Sequence, residues 1–532
     1  MKYFPPFLYL AVAVGIMAPL YAPGFIFLLD MVWGPRIDIA DVMRNGVNHN
    51  FPMTALLSLL NLAIPADIIQ KILLTAVLFL PGISMYALAR RTLPISWAMV
   101  SGLLFQLNPY VYERFVAGQW KVLLGYGFFP LVLLFLLAFL AQRKEKHWWI
   151  FALSFAVYPL LSIHWSYIAG IFLLVFGIVW LGQNRKFPAL LSRIAIRRSL
   201  VLAALFLLVN SFWLVGFFAA SGSYIAIGEG DFSAFATRPD SVWGGFFNVL
   251  SLYGFWRSVY LLPKDFLSFW WVLTPIMIAC ATAGAIVSIR RRDALCVATT
   301  LVFLPAFLIA TGDASPITQS LNRMILDGLP LFGGLRDTAK AIGVLAFAYA
   351  LLAPVGVRAI VPATARPAAA GAMFLLPFLT AGTLLGGAMG QLKVYDYPRA
   401  WYEADTILRE DGATGVLFLP WRAYLQLDFA GGLTVANPAQ AFFSSPVIAG
   451  QNTDNPFLLD AEANLWNQKM TSIIQGVETI EENRPFFAEQ GVTHILLAKT
   501  DDWERYEQLV TAAPLETAYE SATIAVYAFT AR

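Results

Sequence analysis

Three carboxylates follow the first apolar segment of the chain, at the point where a membrane helix would meet water. Asp30 ends that segment, Gly34 and Pro35 force a turn behind it, and Asp38 and Asp41 follow. A carboxylate held at a membrane face could act as the general base that deprotonates an acceptor hydroxyl. Asp30 is therefore the first candidate for catalysis, with Asp38 and Asp41 as alternates. The competing interpretation is that these acids solvate a loop or cap the next helix.

A second polar stretch combines two cations with side chains that suit a sugar. Arg114 and Lys121 could bind a phosphate, the arginine with two parallel hydrogen bonds and the lysine as a point charge. Between them, Gln119 and Trp120 could contact a sugar ring. The competing interpretation is an interfacial belt, because Trp and Tyr collect at membrane surfaces in any case.

A third stretch places charge at the start of an apolar segment, with Arg336 and Asp337 followed by Lys340. A lysine inside the bilayer costs roughly 2.5–3.5 kcal/mol on insertion scales, so Lys340 needs a partner or a function. Asp337, one helical turn earlier, is the structural partner, and a lipid phosphate is the functional one.

The composition indicates a polytopic membrane protein. Of 532 residues, 59% are hydrophobic and 13% are charged, whereas a soluble domain has about 25% charged residues. The net charge of +3 is small, and the basic residues gather in loops, which bears on topology rather than on nucleic-acid binding. Cys280 and Cys296 form no CxxC motif and no zinc-spaced cluster with histidine, so neither structural zinc nor disulfides are indicated.

A membrane helix needs about 20 mostly apolar residues, and by that standard the chain is predicted to cross the membrane about eleven times. The predicted spans are 6–28, 68–89, 94–108, 121–141, 147–163, 165–182, 199–219, 266–288, 294–311, 338–358 and 369–389.

Basic clusters occupy every second connection between these spans. The positive-inside rule therefore places the N-terminus and those connections in the cytoplasm. The other connections form the predicted outer loops, which are 29–67, 109–120, 220–265 and 312–337. Because the number of spans is odd, the C-terminal region is expected on the outer side as well.

From about residue 392 the composition becomes that of a soluble domain. Strand-like runs are 416–420, 494–498 and 522–530, and helical patterns are 401–410, 483–490 and 501–512. The expected fold class is an α-helical polytopic membrane domain, 1–391, followed by an extracytoplasmic α/β domain, 392–532.

These stretches together resemble the GT-C fold of polytopic membrane glycosyltransferases that use polyprenyl-phosphate sugars, and more narrowly the arabinofuranosyltransferase-like type. The resemblance runs over most of the chain. The stretches that carry it are Leu29-Asp-Met-Val-Trp-Gly-Pro35, Asn108 to Gln119, Thr237 to Ser241, Asn248 to Trp256 and Leu335 to Lys340, with Asn437 to Gln440 and Gly450 to Asn452 near the C-terminus.

The resemblance implies an inverting pentosyl- or hexosyltransferase whose catalytic acidic residue lies in the first outer loop, at Asp30 or else at Asp38 or Asp41. Residues implied for the donor phosphate are Arg114, Lys121, Arg336 and Lys340, and those implied for substrate are His49, Gln119, Trp120 and Trp256. A divalent metal such as Mg or Mn is left open, and no other cofactor is implied.

The expected partners are a polyprenyl-phosphate-linked sugar and a glycan, lipid or protein acceptor, in the plasma membrane. Two other classes stay open. A lipid or glycan transporter or flippase predicts mid-span charges and inverted repeats, and the sequence shows few of the former and no obvious repeat. A non-catalytic envelope-assembly scaffold would keep the fold without activity, and only a test of Asp30 separates it from an enzyme.

Overall fold

The computed structural model describes residues 4–39, 49–185, 192–219, 235–257, 260–328, 337–450 and 461–530. A bundle of apolar helices comes first, and a region with mixed helices and strands follows it. The predicted fold class, a helical membrane protein with a C-terminal α/β part, is therefore confirmed.

The bundle contains both long helices and short ones. They are α1 Phe4–Met17, α2 Phe51–Asn61, α3 Ala66–Ala89, α4 Ile95–Gln106, α5 Pro109–Val116, α6 Trp120–Gln142, α7 Glu145–Leu161, α8 Ile163–Asn184, α9 Arg193–Ala219, α10 Gly244–Leu250, α11 Pro263–Phe266, α12 Trp270–Arg291, α13 Ala294–Ala310, α14 Pro316–Gly328, α15 Ile342–Ile360, α16 Arg366–Ala381 and α17 Leu385–Gly390, with 3₁₀ turns at Ala18–Tyr21, Thr338–Ala341, Ala363–Ala365 and Gly382–Leu384.

Within the described residues, eight helical segments are long and apolar enough to cross a membrane. The predicted number of eleven is therefore not confirmed. Each predicted span does coincide with a helix, but α4 has only 12 residues. Helices α7 and α13 have 17 each. These three fall short of the roughly 20 residues that a bilayer requires of a straight helix.

Helix α15 lies at the centre of the bundle. In the segment Thr338–Ile360, 89% of the most apolar window is buried inside the protein, whereas the figure is 6% for Arg193–Val215 at the periphery. The 3₁₀ turn that begins this central segment carries Lys340. Asp337 and Lys340 of the third charged stretch therefore lie at the start of the most buried of these eight segments.

Successive long helices run in opposite directions, so their connections alternate between two ends of the bundle. We call one end the loop face. It carries the chain after α1, the turn before α6, the described segments 235–257 and 260–269, and the C-terminal region. All the candidate residues that the structure describes belong to these parts or to helix ends beside them.

The C-terminal region surrounds a five-stranded sheet. Across the sheet the strands are, in order, β6 (Val447–Ile448), β3 (Val416–Leu419), β7 (His494–Ala498), β9 (Ile524–Phe529) and β8 (Leu515–Glu520). Strands β3, β6 and β7 are parallel, whereas β9 runs antiparallel to both β7 and β8. A separate hairpin is formed by β4 and β5. The elements after Gln391 are β2 Val394–Tyr395, α18 Arg399–Glu410, β3 Val416–Leu419, β4 Tyr424–Leu427, β5 Leu433–Ala436, α19 Ala439–Phe442, β6 Val447–Ile448, α20 Ala461–Ile474, α21 Arg484–Glu489, β7 His494–Ala498, α22 Trp503–Thr511, β8 Leu515–Glu520 and β9 Ile524–Phe529, with a 3₁₀ turn at Asp428–Ala430.

The C-terminal region is seated on the chain that follows α1. A two-residue strand, β1 (Phe25–Ile26), pairs antiparallel with β2. The amide of Ala436 donates to the carbonyl of Leu29 at 2.8 Å. Gly34 touches α19 so closely that a Cβ there would lie 1.8 Å from the carbonyl oxygen of Ala441. The segment around Asp30 is thus built jointly by both parts of the protein.

Candidate active site

Helix α5 brings two charged side chains into the interior of the loop face. Asn108 caps its first turn by accepting the amide of Val111. One turn later, Glu113 accepts the amides of Gly254 and Phe255, both at 3.1 Å. Burial raises the pKa of the Glu113 carboxyl to about 7, although the Phe255 amide and the Arg114 charge oppose the rise. Glu113 therefore ties the segment 235–257 to α5.

Arg114 forms a buried ion pair with Asp337, just before the central α15 segment. Its Nη1 and Nη2 donate to the two carboxylate oxygens at 2.5 and 3.2 Å, and its side chain is 1% exposed. Lys340 Nζ lies 3.7 Å from the same carboxylate, as the helical spacing predicts. Burial alone would raise the pKa of Asp337, but Arg114 and Lys340 lower it to about 2, so this group is charged.

Asp30 lies beside this pair, and each of its carboxylate oxygens accepts a hydrogen bond. Gln119 Nε2 donates to Oδ2 at 2.8 Å, and the hydroxyl of Tyr424 donates to Oδ1 at 2.9 Å. Its own amide donates to the carbonyl of Ala117 at 2.9 Å. Burial raises the pKa of Asp30 above its usual value, while the bonds from Gln119 and Tyr424 oppose that rise.

Gln119 joins the two groups into one network, because its Oε1 accepts Arg114 Nη1 at 2.6 Å. We call this set the Asp30 network. It consists of Asp30, Gln119, Arg114, Asp337, Lys340 and Tyr424.

The close approach of Asp30 to the α5–α6 turn depends on a glycine. Gly118 has φ +78°, and a Cβ on it would lie 2.8 Å from the Cβ of Met31 and 2.9 Å from its amide nitrogen. Only glycine adopts this backbone conformation without strain while leaving room for another chain segment. Gly118 therefore lets the first loop and the Gln119 turn meet.

A second group of predicted residues gathers at the start of α6. Lys121 lies over the ring of Trp120, with Nζ 5.1 Å from the ring centroid. The ring of His49 lies 6.1 Å from that of Trp213. Burial, followed by the charge of Lys121, lowers the pKa of His49 to about 4, so this imidazole is neutral near pH 7. His49 could therefore accept or donate a hydrogen bond but would not neutralise a phosphate.

A cavity of about 580 Å³ opens next to Asp30, and we call it the Arg257 cavity. Leu29 and Ala117 line it on the side of the Asp30 network, and its charged lining residues come from α5 and from the described parts of the loop after residue 237. These charged residues are Glu113, Arg238, Asp240, Arg257, Lys264 and Asp265. A space of this size and polarity suits a sugar-sized ligand.

The remaining predicted residues are placed in different ways. Asp38 is exposed, and the residue before it, Ile37, donates its amide to the side chain of Asn61. Trp256 packs edge-to-face against Phe235, with the ring centroids 5.1 Å apart. Its indole nitrogen is buried and has no hydrogen-bond partner among the described residues. Asp41 and Arg336 lie outside the described residues, so their predicted roles remain predictions.

The described side chains do not fit a divalent metal. Across the described ranges, no three or more His, Cys, Asp or Glu side chains are grouped so that they could hold an ion. Both oxygens of Asp30 accept hydrogen bonds, and Asp337 is paired with Arg114. We therefore assign no step to the Mg or Mn ion that the resemblance left open.

Several residues of the site could not be found from the sequence. Tyr424 lies 394 residues from Asp30, in a hairpin with no local sign of a role in catalysis. Arg238, Arg257 and Lys264 lie in the predicted outer loop 220–265, where Trp256 was the predicted site residue. The buried state of Glu113 and Arg114 could not be predicted, since both look like loop charges in the sequence.

No protein family profile matches the sequence, and no curated protein matches it either. Among solved structures, the arabinofuranosyltransferase AftD from Mycobacteria aligns with 100% of this chain and 40% of its own, at TM-score 0.64 and 14% identity. A variant of AftD gives TM-score 0.62 at 15% identity. The oligosaccharyltransferase of Archaeoglobus fulgidus covers 98% of this chain and 72% of its own, at TM-score 0.42 and 13% identity.

The chain thus spans about two fifths of the length of AftD, and the likeness covers both the helical bundle and the C-terminal region. At this level of identity the likeness establishes the fold. The chain has the GT-C fold of polytopic membrane glycosyltransferases, as the sequence resemblance implied.

Proposed function

We propose that this protein is a membrane glycosyltransferase that transfers a pentosyl or hexosyl group from a polyprenyl-phosphate donor to an extracytoplasmic glycan, lipid or protein acceptor. One observation carries the proposal. Asp30 is held by hydrogen bonds from two distant parts of the chain, and it lies beside a polar cavity at the loop face of a GT-C bundle.

Asp30 is the general base in this proposal. The acceptor oxygen attacks the anomeric carbon while the bond between that carbon and the phosphate oxygen breaks. Asp30 takes the hydroxyl proton, and the polyprenyl phosphate leaves with the bonding electrons. Because the displacement is single, the anomeric configuration inverts, unlike in a two-carboxylate retaining scheme. The raised pKa of Asp30 suits a base that must hold a proton after the transfer.

The two oxygens of Asp30 suggest how donor and acceptor are arranged. Gln119, which bonds Oδ2, is joined through Arg114 and Asp337 to Lys340, whereas Tyr424, which bonds Oδ1, lies 5.7 Å from the guanidinium of the cavity residue Arg257. We assign the donor phosphate to the first side, with Lys121 and Lys340 as its cations, and Arg336 stays a cation predicted from the sequence. The acceptor enters through the Arg257 cavity, with Trp256 beside it.

Arg114 has a different part in this proposal from the one that its sequence position suggests. Its side chain is 1% exposed and already contacts Asp337 and Gln119. We therefore assign it a positioning role, in which it orients the Gln119 amide that bonds Asp30. Once Asp30 has taken the proton, Arg114 and Lys340 outnumber Asp337, and this net positive charge favours the negative charge on the leaving phosphate.

The loop face is assigned to the outside of the plasma membrane, and the N-terminus to the cytoplasm. The support is the distribution of charge, because the basic clusters lie in the connections at the opposite end of the bundle. A polyprenyl-phosphate sugar in the outer leaflet would then reach Lys121 and Lys340 from between the helices.

Reconstitution into sealed liposomes with polyprenyl-phosphate pentose and hexose donors tests this function. We expect release of polyprenyl phosphate together with a glycosylated acceptor of inverted anomeric configuration. Movement of an unconsumed donor across the bilayer would instead identify a flippase. If no donor is consumed by correctly folded protein, the scaffold alternative replaces the enzyme.

A further inference from the structure

Two arginines line the Arg257 cavity without an acidic partner among the described residues. Arg238 is exposed and Arg257 is half-buried, and neither forms an ion pair in the described part of the chain. The guanidinium of Arg257 lies 5.7 Å from the centre of the Tyr424 ring and 5.9 Å from that of Trp256. Since Tyr424 bonds Asp30, only one side chain separates Arg257 from the proposed base.

The acids of the same cavity are all engaged elsewhere. Glu113 accepts two backbone amides, as described above. Asp240 pairs with Lys264 at 2.8 Å, and Asp265 accepts the amide of Leu262 at 2.6 Å. Lys264 also donates to Asn248 at 2.9 Å. Backbone amides leave the charges of Glu113 and Asp265 in place, so the cavity holds three acidic and three basic side chains. Arg238 and Arg257 are the basic residues of this lining without an ion pair among the described residues, which makes them the groups available to an anionic ligand.

We propose that the Arg257 cavity selects an acidic acceptor, namely a glycan that carries a carboxylate or a phosphate close to the hydroxyl that is glycosylated. This inference rests on the proposed function and names the class of its acceptor. Guanidinium groups bind both anions with paired hydrogen bonds, so the chemistry of the site admits either.

The donor phosphate is the other source of an anion, and the geometry favours the acceptor. Arg257 lies on the Tyr424 side of Asp30, whereas Lys340 is joined to the Gln119 side through Arg114 and Asp337. In a single displacement the base approaches the acceptor, and the leaving phosphate departs from the opposite side of the sugar. A phosphate bound at Arg257 would therefore be on the side of the nucleophile.

The test measures binding to the full-length protein in lipid nanodiscs, so that it does not depend on turnover. The probes are a glucuronic acid disaccharide with its methyl ester, and glucose 6-phosphate with glucose. We expect at least one acidic probe to bind about tenfold more tightly than its neutral counterpart, the effect of one charge-assisted contact. The double variant Arg238→Gln with Arg257→Gln should lose that preference.

Arg399→Gln is the matched control, because it removes the same charge from an exposed pair with Glu403 on the surface of α18. Equal affinity for the acidic and neutral probes, or a preference that survives in the double variant, would overturn the inference. So would displacement of the acidic probe by dodecyl phosphate, which would make the cavity the donor site.

Asp30→Asn distinguishes this failure from failure of the proposed function. That variant should keep the preference for the acidic probe while it loses transfer. If the wild-type protein transfers sugar but binds acidic and neutral probes equally, the proposed glycosyltransferase function is supported and the acidic acceptor is contradicted.

Discussion

At Asp30, the two carboxylate oxygens are bonded by side chains that are far apart in the sequence. Burial raises its pKa, the bonds from Gln119 and Tyr424 lower it, Asp337 raises it and Arg114 lowers it. A base must be deprotonated to act, so transfer is expected to fall as the pH drops through this pKa. Burial first, and then the hydrogen bonds and charges around Asp30, therefore set the acidic limb of the rate profile.

Tyr424→Phe removes one bond that favours the charged form of Asp30. A hydrogen bond to a charged group contributes about 1.5–3 kcal/mol, and a change of one pKa unit corresponds to about 1.4 kcal/mol. We expect the acidic limb of kcat/KM to move upward by about one pH unit. The measurement is the rate of transfer across pH.

Tyr402→Phe is the control for that change, because Tyr402 is 44% exposed on the surface of α18. If Tyr424→Phe lowers the rate equally at every pH, Tyr424 shapes the site without acting on the ionisation of Asp30.

The sequence could nominate Asp30, Gln119, Arg114 and Lys340 as candidates, but not the bonds that join them. Asp30 ends an apolar segment, and that local pattern is visible in any sequence of this kind. Tyr424 and Asp337 reach the site through long-range folding, and no periodicity records which loop meets which. The same limit explains why Arg114 was expected to touch a phosphate although it is buried in an ion pair.

On the scale of elements, the pair Arg114–Asp337 joins α5 to the central segment Thr338–Ile360. Removing one member of a buried pair leaves an uncompensated charge and typically costs about 3–5 kcal/mol. Arg114→Gln should therefore lower the stability markedly. Thermal unfolding in detergent measures the loss.

Arg36→Gln is the matched comparison, since Arg36 pairs with Asp405 at 3.3 Å but is 49% exposed. Exposed pairs contribute at most about 1 kcal/mol, so this variant should unfold close to the wild type. Equal losses in the two variants would contradict the role of the buried pair.

The pH dependence of the buried pair follows from its sign. A carboxyl whose pKa is lowered stabilises the fold above its ordinary value of 3.8, and the contribution is lost as the pH falls toward 2. In Arg114→Gln the largest opposition to burial is lost, so the pKa of Asp337 rises and the stability gap to the wild type should narrow as the pH falls from 8 to 5. A gap that stays constant over this range would show that Lys340 alone keeps Asp337 charged.

Helix positions were predicted well because apolar runs are local, but which helices are long enough to cross a membrane was predicted less well. The predicted spans at 94–108, 147–163 and 294–311 are helices of 12, 17 and 17 residues. Short helices of this kind end at the loop face or at a tight turn. Packing against neighbouring helices determines where each of these helices ends, and the hydropathy pattern of the sequence does not contain that information.

On the scale of the whole molecule, the C-terminal region packs against the loop that follows α1 and contributes Tyr424 to the site. Gly34→Ala would place a Cβ 1.8 Å from the backbone of Ala441 and so force the two parts away from each other. Overpacking of this kind typically costs about 1–3 kcal/mol. We expect faster proteolytic release of the C-terminal region and slower transfer, because Tyr424 moves with it.

Gly371→Ala is the control, since nothing lies within 4 Å of a Cβ at that position. Transfer at the wild-type rate by Gly34→Ala would show that the close contact between the first loop and the C-terminal region does not contribute to catalysis.

The α/β character of the C-terminal region could be predicted from alternating strand and helix patterns. Its contact with the bundle could not, because the pairing of β1 with β2 joins two very short strands. The proposed division at residue 391 therefore describes composition better than function, since the site draws on both sides of it.

The rate of sugar transfer by Asp30→Asn, measured beside Asp38→Asn in equally folded full-length protein, tests the central claim most directly. Loss of a general base lowers a rate by about 100-fold or more. We predict that loss for Asp30→Asn, with most activity retained by Asp38→Asn because Asp38 is exposed. Wild-type transfer by Asp30→Asn, or a loss confined to Asp38→Asn, would contradict the assignment of Asp30 as the base.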